Sequence, residues 1–210
     1  MEARLGKNIP SLDDRGKAQY VERHLFNELR WLLGAATEWA VQDQLKLELV
    51  GYDVRVYAMD SAFVHARSLF EFFLKPTNRN HYGSNEFLGG TVLVSNSYTN
   101  DWKDPLHAFL MHAQDRSSPR PLNSSGEKKD LNRMPVDFAH EVLRLWKEFE
   151  EALGKSTNPA DRNLQKLARE KREEAIRDAK CVVDSDVARQ HARQKGQRLT
   201  PVFGSQPLGV

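Results

Sequence analysis

The sequence predicts an all-α protein, an up-and-down helical bundle of four to five helices with long polar loops and a basic C-terminal helical tail. Three observations carry this expectation. Apolar residues recur at steps of three and four along several stretches, the spacing of one helix face. Acidic caps and prolines stand where those stretches begin. At most one short extended piece, Thr91 to Val94, interrupts the helical pattern.

The first helix is expected from about Gly16 to Leu47, with Tyr20, Val21, Leu25, Leu29, Leu32, Leu33, Ala36, Trp39 and Ala40 at helical spacing. Its interior glycine, Gly34, costs roughly 1 kcal/mol relative to alanine, which buried apolar neighbours offset. Asp53 is placed to cap a second helix that ends near Leu74, because Pro76 cannot continue it. These two helices read as an antiparallel pair. From Lys75 to Lys103 the chain is rich in Asn, Gly and Ser. A loop of that length inside a domain points either to function or to a disordered insertion.

Asp104-Pro105 opens a short third helix with Leu106, Phe109, Leu110 and Ala113 on one face. After the polar stretch SSPRPLNSSGEKKD, Met134-Pro135 opens a fourth. Its stripe of Val136, Ala139, Val142, Leu143, Trp146, Phe149 and Leu153 ends at Gly154, a place for a left-handed cap. Asn158-Pro159 starts a fifth segment whose apolar content thins to Leu164, Leu167, Ala168 and Ile176, so only partial docking is expected. The last residues, RLTPVFGSQPLGV, argue against regular structure. The chain thus divides into a helical bundle over 1–154, a charged helical extension over 155–198 and an irregular tail over 199–210.

The 210 residues, 40% hydrophobic and 29% charged, suffice for one core plus an appendage. No apolar run is long enough for a membrane span, and the first fifteen residues lack the hydrophobic segment of a secretory signal, so a cytoplasmic location is expected. A single cysteine, Cys181, excludes an intrachain disulfide and a multi-cysteine metal cage. Residues 155–200 carry 12 of the 31 Lys and Arg but 7 of the 29 acids, which leaves a net +5 there and −3 in the remainder. The mixed signs of AREKREEAIRDAK read as a solvated helix face rather than a phosphate-binding stripe.

Candidate chemistry concentrates on the second and third helices. In AFVHARSLFEFF, Ala58, Ala62, His65, Leu69, Phe72 and Phe73 share one broad face and His65 sits at its edge, while Arg67 and Glu71, four residues apart, form a surface pair. His112 and Arg116 lie one turn apart on the third helix. Packed against His65, they would offer a bidentate fork and an imidazole to a phosphate or carboxylate. A buried polar network holding the bundle in register is the other reading of the same residues. HExxH, GxSxG, Walker and GxGxxG patterns are missing, so no cofactor or metal is called for.

HARSLFEFF followed, after a long loop, by the HxxxR of His112 and Arg116 resembles a set of uncharacterised bacterial helical proteins similar to the HEPN (higher eukaryote and prokaryote nucleotide-binding) superfamily. The resemblance spans about 51–153. It implies an up-and-down bundle, often dimeric, and in the active branch a metal-independent ribonuclease. That branch uses an arginine, four to six residues, then a histidine near the start of a late helix, with paired copies meeting at the dimer interface. Arg133 and His140, in RMPVDFAH, match the spacing, although Met134 stands where the family prefers a polar side chain. In such a site His140 would take the 2′-hydroxyl proton and Arg133 would stabilise the phosphate, leaving a cyclic phosphate.

Three functions are therefore expected in order. The first is a non-catalytic interaction or assembly module resembling HEPN-like proteins of stress or defence systems, acting as a homodimer or with a protein partner. The second is a dimeric ribonuclease using Arg133 and His140, with RNA as the partner. The third is small anionic ligand binding between helices two and three through His65, Arg67, Glu71, His112 and Arg116.

Overall fold

A computed structural model describes residues 9–45, 54–103, 106, 134–183, 196 and 203. Among them the regular structure is all helical, with four long rods. Helix α1 (Asp14–Tyr20) starts where the Asp13 carboxylate accepts from the Gly16 backbone N–H at 2.6 Å, satisfying one donor that the first turn leaves open. It runs through a π-helical turn, Val21–Leu25, into α2 (Phe26–Leu45), making one continuous rod where the sequence predicts the first helix. Helix α3 (Val54–Leu74) ends just before Pro76. Its expected cap, Asp53, lies outside the described residues, as does the predicted third helix apart from Leu106, which is fully buried.

Helix α4 (Met134–Gly154) buries Ala139, Val142, Leu143, Trp146, Phe149 and Leu153 of the expected stripe together with Phe138 and Leu145, while Val136 is only partly buried. Its end differs from expectation, because Gly154 is not among the positive-φ glycines and the helix closes without a left-handed cap. A Cβ at Gly154 would meet the end of the Gln165 side chain of the next helix, a flexible group that can move aside.

Helix α5 (Pro159–Val183) is capped as predicted, with Asn158 Oδ1 accepting from the Ala160 N–H at 3.1 Å. It differs from the expected partial docking by lying along both α2 and α4. Leu164, Ala168, Ala175 and Ala179 are buried and join the common core. Alanines contribute little to a hydrophobic stripe but let helix backbones come close, which is why the docking face is faint in the sequence. Two polar links fasten it. The Trp146 indole N–H donates to the Ala168 carbonyl at 3.0 Å. The buried Glu150 carboxylate accepts from Arg172 Nε at 2.7 Å and Nη2 at 3.2 Å.

The segment between α3 and Lys103 is folded onto the bundle. No strand forms at the predicted extended piece; Leu93 donates to the Phe73 carbonyl at 3.1 Å, and the chain beyond it turns helical, with a π-helical turn over Tyr98–Trp102. Ser84, Phe87, Ser95 and Tyr98 are buried, so the reading as a disordered insertion does not hold. Phe87 enters a ring cluster with Tyr20, Phe72 and Phe149, at centroid separations of 5.8, 5.4 and 5.9 Å. Arg144 Nη2 donates to the Val94 carbonyl at 3.2 Å and pins the loop to α4.

Candidate functional site

The rod α1–α2 places Tyr20, His24 and Glu28 at four-residue steps, with His24 inside the π-helical turn. Opposite them α3 contributes Ser68, Glu71 and Phe72. His81 and Tyr82 close the space from the loop, and together these residues line a cavity of about 150 Å³. The loop is held there by a local network. Asn78 Oδ1 accepts from the backbone N–H groups of Asn80 at 2.8 Å and His81 at 3.3 Å, and the Tyr82 hydroxyl donates to the Pro10 carbonyl at 2.9 Å. At Gly83, a Cβ would strike the Lys75 carbonyl, so only glycine allows the loop to turn back this closely.

The lining is aromatic and acidic. Tyr20 lies 5.4 Å edge-on from Tyr82, 6.0 Å from Phe72 and 5.1 Å from the His24 ring. Burial, and then the negative charge of Glu28 and the phenol of Tyr82, push the Tyr20 hydroxyl above its usual pKa. Burial alone would raise the Glu71 carboxyl, but the hydrogen bond from Lys75 at 2.8 Å and the charges of Lys75 and Arg67 outweigh it and hold Glu71 below the usual range. Nε2 of His81 is buried and has no hydrogen-bond partner among the described residues. No group of three or more His, Cys, Asp or Glu among those residues could hold a metal ion.

Of the residues singled out in the sequence, Glu71 lines this cavity. His65 adjoins it by bonding Glu28 at 2.9 Å through Nδ1, under the Trp31 ring at 5.1 Å, so it faces the first rod. Arg67 pairs with Glu71 at 3.5 Å without lining the cavity. His112, Arg116 and Arg133 lie outside the described residues. His140 sits on α4, exposed overall, with the buried Phe203 ring 5.3 Å from its own. Burial lowers the imidazole pKa, opposed by the charge of Asp137. Sequence reasoning missed Tyr20, His24, Glu28, Ser68, His81 and Tyr82. In the sequence Tyr20 counts toward the apolar face of the first helix, and its four-residue spacing to His24 and Glu28 is the one signal for this wall; the approach of His81 and Tyr82 depends on tertiary docking.

A second feature lies on another face of α2. Arg30, Trp31, Gly34, Ala35 and Glu38, with Tyr57, Ala58 and Ser61 of α3 and Asp178 and Ala179 of α5, line an open groove of about 640 Å³. Trp31 is 50% exposed and Tyr57 54%. A Cβ at Gly34 would meet nothing within 4 Å, and Arg30 pairs with Asp178 at 2.7 Å at the rim. No described helix is long and apolar enough to cross a membrane. Compared with protein-family models, curated proteins and solved structures, the chain matches none.

Proposed function

We propose that the protein is a non-catalytic helical assembly module that pairs with a second copy of itself through the α2 groove. The carrying observation is Gly34. A glycine in a helix interior costs about 1 kcal/mol against alanine, yet no neighbour within the chain needs the missing Cβ. It opens a hollow at the foot of a face that also presents two half-exposed aromatic rings. Twofold pairing suits such a face, because a hollow and a projecting ring on the same surface can fill each other reciprocally. The indole of Trp31 is the side chain for that role, since tryptophan anchors carry much of the energy at interfaces.

Light scattering of the purified chain tests this reading. The wild type is expected to weigh twice the monomer mass, and Trp31→Ala to weigh one. The dimerisation constant of that variant should weaken by at least about tenfold, as loss of a central anchor requires. A wild type that stays monomeric overturns the reading.

A further inference from the structure

We infer that the cavity between α1–α2, α3 and the His81-Tyr82 turn binds a small organic ammonium ion carrying N–H donors. The inference does not depend on self-association and uses a different part of α2. Its sign comes from the lining, which holds two carboxylates, Glu28 and Glu71, and no lysine or arginine. The basic side chains nearby are spent on the flanks: His65 bonds Oε2 of Glu28, while Lys75 and Arg67 pair with Oε1 of Glu71. Each carboxylate thus has a second oxygen not used by these partners, and an N⁺–H donor bonds such an oxygen strongly. An anion in this cavity would meet two carboxylates, so the ligand class differs from the phosphate or carboxylate expected at His65, His112 and Arg116, two of which lie outside the described residues.

The rings supply the second requirement. The Tyr82 and Phe72 rings lie 5.4 and 6.0 Å from that of Tyr20, and aromatic faces attract a cation held within about 6 Å of their centroids. The third is the buried Nε2 of His81, an acceptor in the neutral imidazole when Nδ1 carries the proton. An ammonium N–H satisfies it, whereas a quaternary ammonium has no hydrogen to give. Size sets the ligand class. A cavity of about 150 Å³ has the volume of about five waters, enough for an amine of four or five heavy atoms.

Nuclear magnetic resonance titration of the full chain with n-propylammonium chloride tests the site, with tetramethylammonium chloride, sodium propionate and inorganic phosphate as the other arms. The expected result is saturable movement of the His81 and Tyr82 ring resonances by propylammonium, with a Kd of about 0.1–10 mM, the range a ligand this small can reach. Tetramethylammonium should bind at least about tenfold more weakly, for want of the N–H donors. Glu28→Gln removes one carboxylate charge and should weaken propylammonium binding by a similar factor. Ser68→Leu fills the cavity mouth from an exposed α3 position without changing any charge, and should abolish binding while the fold is retained. Preferential binding of propionate or phosphate, equal binding by tetramethylammonium, or no movement of these rings by propylammonium overturns the inference.

Discussion

His140 shows how a single neighbour changes what a side chain can do. Its ring lies under Phe203, and burial favours the neutral imidazole. A titration of the histidine resonances should place the His140 midpoint below 6.5, and Phe203→Ala should move it back up toward that ordinary value. Because the folded pKa is lowered, the associated stability is fully present above the unfolded pKa and is lost as pH falls through the folded one. Stability should therefore decline below about pH 6.5, and His140→Gln should flatten part of that decline. The buried Glu150 makes a different residue-scale case. Arg172→Ala leaves a carboxylate with 3% exposure whose remaining basic partner among the described residues is Arg169 at 3.9 Å, and should cost about 3 kcal/mol in urea unfolding. A change below about 1 kcal/mol would mean that Arg169 replaces the lost partner.

At the scale of elements, the long apolar helices were legible because their faces are built from Leu, Phe and Trp at helical spacing. The first helix, the second helix and α4 follow from Leu29, Leu33, Leu69, Phe73, Trp146 and Phe149, all fully buried. The docking of α5 was not legible, since Ala168, Ala175 and Ala179 act through close approach rather than through bulk. The loop after α3 looked polar because its anchors, Phe87 and Tyr98, are widely separated apolar residues among Asn, Gly and Ser. The cavity was half legible: Glu71 and the neighbouring His65 emerged from one helix, but the opposing wall comes from another helix and the loop. Gly34 was read in sequence only as a cost. Gly34→Leu, on an α2 position where a Cβ meets nothing, should raise the stability of the isolated chain by about 0.5–1 kcal/mol while obstructing the groove. Urea unfolding of the dilute variant measures the first effect.

For the whole molecule, the helices converge on one core, and the loop and α5 close it from two sides. The ribonuclease alternative makes a separate demand, that His140 meet RNA. With Phe203 against its ring and a non-catalytic assembly role proposed, the chain incubated with labelled RNA in EDTA is expected to leave the RNA intact. Cleavage that vanishes in His140→Ala would instead reinstate the arginine and histidine pair as a site.

Self-association through the Gly34 face is tested most directly by thermal unfolding of the wild-type chain across protein concentration. Coupled dissociation and unfolding makes Tm rise with concentration, and the rise should disappear in Gly34→Leu. A wild-type Tm that stays constant over about a hundredfold range of concentration would contradict assembly through this face.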